Sequence, residues 1–334
     1  MLKIDGSYGE GGGQILRTAI ALSCITGREV EITKIRANRP KPGLAAQHLK
    51  GIEVAKLISD AEVDGLRIGS TRVVFRPKHI KGGEYKIDIG TAGSVTLILQ
   101  TILPPLLLAE KPSKLEIIGG TDVAWAPTID YFRKVTTNTV LELGAKFSVE
   151  LKARGYYPKG GGKIVVEIEP SKLMGKKFER SDCEILGISH CQNLPEHVAI
   201  RQRDSLIEYL SKRKLKASVD VEVLKGASTG SGITIWCGYK GASALGERGK
   251  RAEDVGIEAG KNFYEEFTNP GIFDSHLTDQ IMVFSSIAKG ITRFSTTGIT
   301  MHQKSNQYVI NSFLGETVRI DEEKKEIEII GRDF

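Results

Sequence analysis

The sequence predicts an α/β (α+β) protein, with a large domain of three repeated βα units and a smaller α/β domain inserted into it. Three observations carry this. One order of elements (apolar helix, strand, loop rich in Gly, Thr, Arg or Pro, second helix, hairpin) can be traced three times along the chain. The first two copies follow each other at the spacing of one α/β unit repeated, wider than the roughly 20 to 50 residues of a solenoid repeat. The third copy starts too late, and the intervening stretch has a different pattern and enough length for a core of its own. The expected domains are therefore 1–180 with 275–334, and the insert 181–274.

In the first copy, apolar residues at three- and four-residue spacing predict a helix over 14–26. A β-branched strand over 30–35, a loop over 36–43, a helix over 44–59 and charged hairpin strands to Pro77 follow. The second copy reads as helix 94–109, strand 114–118, loop 119–127, helix 128–143 and a hairpin ending near Pro170. The third reads as helix 277–288, strand 291–295, loop 296–301, helix 302–314 and hairpin 318–330. Inside the insert the pattern gives strand 183–189, helix 196–213, strands 217–224 and 233–239, and helix 250–267.

With 334 residues, 40% hydrophobic and 26% charged, the chain has ordinary globular composition and room for two domains. Met1 leads straight into a polar, Gly-rich stretch, so no secretory signal is expected. The longest apolar run, 95–109, contains Gln100 and Pro104-Pro105 and is too short to span a bilayer, so no membrane is expected as a partner. Four cysteines without a CxxC pair are too sparse for a disulfide framework, which makes a reducing cytoplasm the expected compartment. Cys183, His190, Cys191 and His197 crowd one stretch but lack zinc-ligand spacing, and a strand through an apolar core is the preferred reading.

The net charge of +6 hints at a polyanionic partner. Arg36, Arg39 and Lys41 fall in one loop stiffened by Pro40 and Pro42, either as a solvated face or as a phosphate clamp. The run 212–216 reads as cations at a helix C-terminus. Gly6 to Gly13 precede a helix carrying Arg17, where free backbone N–H groups and the positive helix end could meet an anion. No G-x-x-x-x-G-K-[ST] and no G-x-G-x-x-G occurs, so neither a P-loop nor a Rossmann site is predicted. Glu10, a carboxylate among these glycines, fits a ligand for Mg²⁺ or Mn²⁺ beside phosphate, or a solvated turn residue. His302 heads the last predicted helix, where a helix N-terminus would stabilise incoming phosphate and keep imidazole neutral.

The segments 9–17 (GEGGGQILR), 35–37 with 41–44, 47–49 (QHL), 90–94 (GTAGS), Gln100-Thr101, 119–122 (GGTD), 155–162 (GYYPKGGG) and Asp279-Gln280 together resemble the RNA 3′-terminal phosphate cyclases, in order and over nearly the whole chain. The resemblance implies three repeats similar to the C-terminal domain of translation initiation factor three, related to units of enolpyruvyl transferases, with a thioredoxin-like insert. It also implies ATP-dependent conversion of an RNA 3′-phosphate into a 2′,3′-cyclic phosphate through histidine-bound AMP, with Mg²⁺ or Mn²⁺, and leaves room for a homodimer.

By the same resemblance His302 is the nucleophile, although Gln303-Lys304 replaces the apolar residues expected beside it. Gln100, Pro127, His276, Leu277, Thr278, Asp279 and Gln280 match nucleotide-binding positions, with His276 standing where an aromatic residue is expected. Arg17, Arg36, Arg39, Gln47 and His48 match contacts to RNA and phosphate, and Glu10 matches the metal contact. The stretch 240–247 lacks the aromatic platform for adenine found in some relatives. Two other readings are a cyclase-like protein that binds pre-rRNA without catalysis, which would not need His302, and an enolpyruvyl transferase, which the insert and the GGTD loop disfavour.

Overall fold

Each copy of the repeat opens on a short strand that the helix-first pattern does not reveal. The computed structural model describes residues 1–180 and 182–334. In the first copy β1 (Leu2–Asp5) pairs in parallel with β2 (Val30–Thr33) across α1 (Gly13–Thr26); α2 (Ala46–Ser59) leads to the hairpin β3 (Glu62–Asp64) and β4 (Val73–Arg76). The sheet order is β1-β2-β4-β3. The second copy runs β5 (Glu84–Asp88), α3 (Val95–Leu107), β6 (Ser113–Gly119), a broken second helix, then β7 (Lys146–Ala153) and β8 (Gly162–Glu169), in the matching order β5-β6-β8-β7. β1 and β5 each bury a single residue, Ile4 and Ile87, so alternation had nothing to register.

The broken helix comprises α4 (Ile129–Tyr131), a π-helical turn over Phe132–Thr136 and α5 (Thr137–Glu142). The wider turn points Thr136 at the third copy, where its Oγ1 donates to Gln280 Oε1 at 2.9 Å.

The insert holds β9 (Ile185–Gln192), α6 (His197–Ser211), β10 (Ala217–Leu224), β11 (Gly230–Cys237), β12 (Lys240–Leu245) and α7 (Ala252–Thr268). Its sheet order is β10-β9-β11-β12, and its core, including Leu206, Leu210, Ile233, Ile235 and Phe263, is separate from the main one. β12 is too rich in small residues (Gly241, Ala242, Ser243, Ala244) to read as a strand in advance. One expectation is corrected here: Cys183 and Cys237 form a disulfide, their Cα atoms 5.5 Å apart. They lie at one end of the antiparallel β9–β11 pair, a proximity set by register and invisible to spacing. Cysteine sparsity therefore no longer argues for a reducing compartment.

The third copy contains α8 (Ser275–Ser286), β13 (Gly290–Ser295), α9 (Met301–Leu314), β14 (Val318–Asp321) and β15 (Glu326–Gly331), in the order β13-β15-β14. Its opening strand comes from before the insert. Met174 and Lys177 bridge in parallel to Lys289 and Arg293, and the N–H groups of Gly175 and Phe178 donate to the Lys289 and Arg293 carbonyls. The inserted residues thus fall between the opening strand and first helix of this copy, which is why it begins late.

The three copies close a ring. α2 packs on α3, the π turn on α8, and α9 on α1, so the second helix of each copy lies on the first helix of the next. α1 and α8 also both pack on α3, and the first two turns of these three helices carry the polar residues Gln14, Arg17, Gln100 and Asp279 into the middle. Among the described residues no helix is long and apolar enough to cross a membrane.

Candidate active site

α9 begins with a reciprocal cap: Gln303 N–H donates to Thr300 Oγ1 at 3.2 Å, and Thr300 N–H donates to the Gln303 side chain at 3.1 Å. His302, second residue of the helix, is left free to reach α8 and the opening loop. Its Nδ1 lies 3.2 Å from Asp279 Oδ2 and its Nε2 3.3 Å from Glu10 Oε2. Arg39 donates to the same Glu10 oxygen at 3.2 Å. Glu10 arrives there because Gly9, at φ +60°, lies against Ser305 and Met301 of α9, where a Cβ would collide.

Asn306, one turn beyond His302, joins three helices. Its Nδ2 donates to the Asp279 carbonyl at 2.7 Å, and its Oδ1 accepts from Gln14 Nε2 at 3.0 Å and Thr18 Oγ1 at 2.7 Å. Buried, with both its amide nitrogen and its oxygen bonded, it ties α8 to α9. Neither Asn306 nor Thr18 was singled out from the sequence. The available signal was Gln14 and Thr18 four residues apart on an otherwise apolar helix face.

Electrostatics work against one expectation. His302 was expected to be held neutral by the helix end; instead its pKa is raised, first by the hydrogen bond to Asp279 and then by the charges of Asp279 and Glu10, against burial and Arg17. Arg17 is pushed down to about 10 by burial, with Asp279 opposing. One guanidinium nitrogen of Arg17 donates to Gln14 Oε1 at 2.6 Å, while its Nε has no partner. Gln100 Oε1, in the same cavity with Asp279 and Gln280, is also unpartnered. An orphaned donor and an orphaned acceptor in one cavity suit a polar ligand.

A second, mostly apolar cavity shares Arg17 with the first and is lined by Gln47 and His48 together with Leu16, Ile20 and Ile98. His48 Nδ1 accepts from the Ala45 N–H at 3.3 Å, and burial, then Arg17 and Arg36, push the ring down to about 3, so it is neutral. Gly13 must lack a side chain because the His48 ring and Arg17 occupy the space a Cβ would need. Arg36, at φ +53°, donates to the carbonyls of Lys41 and Gly43 and so shapes the basic loop from within. Arg39 projects from that loop towards Glu10 and His302.

The remaining predicted positions divide. Gln280 lines the Arg17 cavity, with its side chain bonded to Thr136 and the His276 carbonyl. Leu277 and Thr278 face the core, Thr278 Oγ1 donating to the Asp274 carbonyl and Thr296 Oγ1. His276 is exposed, and Pro127 is half-buried with its carbonyl accepting from Thr96 Oγ1. His190, given no role from the sequence, belongs to a sealed cluster between copy two and the insert. There the buried Arg154 pairs with Asp122, Asp130 and Glu222 at 3.2, 2.7 and 2.6 Å.

Comparison with known proteins agrees with this architecture. The sequence profile of RNA 3′-terminal phosphate cyclase matches residues 8–320. A relative from Archaeoglobus fulgidus named RNA 3′-terminal phosphate cyclase is 59% identical, covering 97% of this chain and 99% of its own. Relatives of the same name from Methanococcoides burtonii and Pyrobaculum aerophilum are 46% and 50% identical, covering 98% and 94% of this chain and 99% and 92% of theirs. The chain belongs to the RNA 3′-terminal phosphate cyclase family.

Proposed function

We propose that this enzyme converts an RNA 3′-terminal phosphate into a 2′,3′-cyclic phosphodiester at the expense of ATP, with His302 carrying AMP. The observation that supports it most is the pair of contacts to His302. Asp279 can hold the proton on Nδ1, which leaves the Nε2 lone pair for the substrate. Nε2 attacks the α-phosphorus of ATP, a P–N bond forms, the bond to the β-phosphate oxygen breaks and pyrophosphate leaves. An oxygen of the RNA 3′-phosphate then takes the AMP as the P–N bond breaks. The neighbouring 2′-hydroxyl attacks the activated 3′-phosphorus, losing its proton, and AMP departs; vicinal placement supplies the effective concentration.

In this reading Arg17 and Gln100, with their orphaned polar atoms, receive ATP phosphate and sugar groups, and Arg39 with Gln47 and His48 receives the RNA end. Glu10, exposed on the rim with Asp279 across the imidazole, fits a hard cation that also binds phosphate oxygens. Mg²⁺ or Mn²⁺ held there would neutralise phosphate charge and draw Glu10 away from Nε2. The proposal also includes a cytoplasmic setting.

Incubation with α-labelled ATP and divalent metal tests the reading. A covalent AMP adduct that is labile in acid and stable in base is expected. A protein that binds RNA yet never acquires label would exclude it.

A further inference from the structure

We propose that Trp125 and Tyr157 form a stacking platform for nucleobases of single-stranded RNA upstream of the 3′ end, an inference that rests on the function proposed above. Trp125 is 98% exposed and Tyr157 78%. Tryptophan is ordinarily well buried, so an indole standing almost free in water is an unfilled contact surface. Trp125 is held there deliberately: its φ of +64° lies in the left-handed region that large side chains avoid.

The two rings sit on neighbouring loops at one end of β6. The Trp125 loop follows Gly119, the last residue of β6, and the Tyr157 hairpin loop precedes Gly162, which pairs with Gly119. The N–H groups of Thr121 and Asp122 both donate to the Gly155 carbonyl, at 2.8 and 3.1 Å, and Asp122 bridges to Tyr156. Beneath them the Arg154 cluster clamps both loops, since Arg154 immediately precedes Gly155 and pairs with Asp122. Loops fixed from below present their rings already ordered, which lowers the entropy lost on binding.

These loops adjoin the proposed RNA site. Gly160 packs on Thr91 and Ala92, just before α3, and Ser94 N–H at its cap donates to Gln47 Oε1 at 3.4 Å. Gln47 and His48 share a cavity with Arg17, which reaches the His302 centre through Asp279. Exposed Lys159 beside Tyr157, and exposed Lys225 on an insert loop whose Ala227 lies against Gly161, offer charge to the RNA backbone. Two outward rings on separate loops suit successive bases of a single strand.

The test compares Trp125→Ala, Tyr157→Ala and Trp125→Phe, using a dinucleotide and an octanucleotide RNA with 3′-phosphates. Self-adenylylation by α-labelled ATP and KM for the dinucleotide stay at wild-type levels in all three. KM for the octanucleotide rises about tenfold for each ring removed, the scale of one lost base stack, and Trp125→Phe recovers most of it. An unchanged octanucleotide KM in both alanine variants overturns the proposal, as does loss of self-adenylylation, which would assign the rings to ATP. If the wild-type protein acquires no label, the underlying function fails while the platform is still judged. In a Trp236→Phe background, which leaves Trp125 as the emitter, quenching by the octanucleotide supports the platform and its absence rejects it.

Discussion

His302 and His190 stand among the same ingredients, carboxylates and an arginine, and are driven in opposite directions. His302 is partly open to solvent, its side chain 42% exposed between Asp279 and Glu10, and its pKa rises. His190 is fully buried, with Nε2 3.6 Å from Asp122 Oδ1 and Nδ1 2.7 Å from Tyr156 Oη, and burial first and then Arg154 hold it well below its usual value. Solvation decides between them. In the sealed cluster the cation is a guanidinium that cannot give up its proton, so the arrangement is permanent and ties copy two to β10 through Glu222. Even there Asp122 is pushed up to about 6, mainly by burial. In the open cluster the titrating group is the imidazole itself, and its neutral form carries the lone pair that the proposed nucleophile requires.

The contrast can be broken by exchanging what each cluster lacks. Replacement of the open histidine has the largest expected effect: His302→Ala removes the labelled AMP adduct altogether while changing the free energy of unfolding by no more than about 0.5 kcal/mol. An adduct of wild-type yield in this variant would send the search to another residue.

In the sealed cluster the loss falls on the fold. Arg154→Met leaves the buried Asp122 without its cation and takes one partner from Asp130 and Glu222, and should lower stability by about 3 to 5 kcal/mol in equilibrium denaturation. A change below about 1 kcal/mol would mean that packing, not charge, holds the two parts together.

If His302 carries AMP as proposed, attack requires neutral imidazole, and the rate of self-adenylylation should climb with pH through the raised pKa of His302. Asp279→Asn removes the first cause of that rise, and the acidic limb of the rate profile moves to lower pH. A limb that stays in place would leave Asp279 out of the titration.

The smallest effect on stability belongs to Arg39→Ala. Its pair with Glu10 is exposed on both sides, 42% and 45%, and is worth about 0 to 1 kcal/mol. Self-adenylylation should survive this change while cyclisation of the RNA end slows; equal slowing of both steps would move Arg39 to the ATP side.

Local patterns were enough for most helices and hairpins of the repeat, because an amphipathic helix writes its period within a dozen residues, but the single helix expected over 128–143 is broken by a π turn at 132–136. α1 starts one residue before the span expected from periodicity, and α9 starts one residue before His302. Motifs also singled out Glu10, Arg17, Asp279 and His302, which the fold brings into one centre. The same motif reasoning took 276–280 as a block. A helix turns ~100° per residue, so Leu277 and Thr278 point into the core while Asp279 and Gln280 reach the cavity.

Other features belonged to the tertiary structure alone. The opening strands are too short to carry alternation, and that of the third copy lies before the insert, so only hydrogen bonds to β13 reveal it. The disulfide needs the register of β9 and β11. The raised pKa of His302 depends first on Asp279 and then also on Glu10 from the opposite end of the chain, and a sum of charges over neighbours distant in sequence cannot be read from the residues that flank it. Residue types and their periodicity determined the elements and the chemistry on offer; the closure of three copies into a ring decided which of those groups meet, and in what solvent.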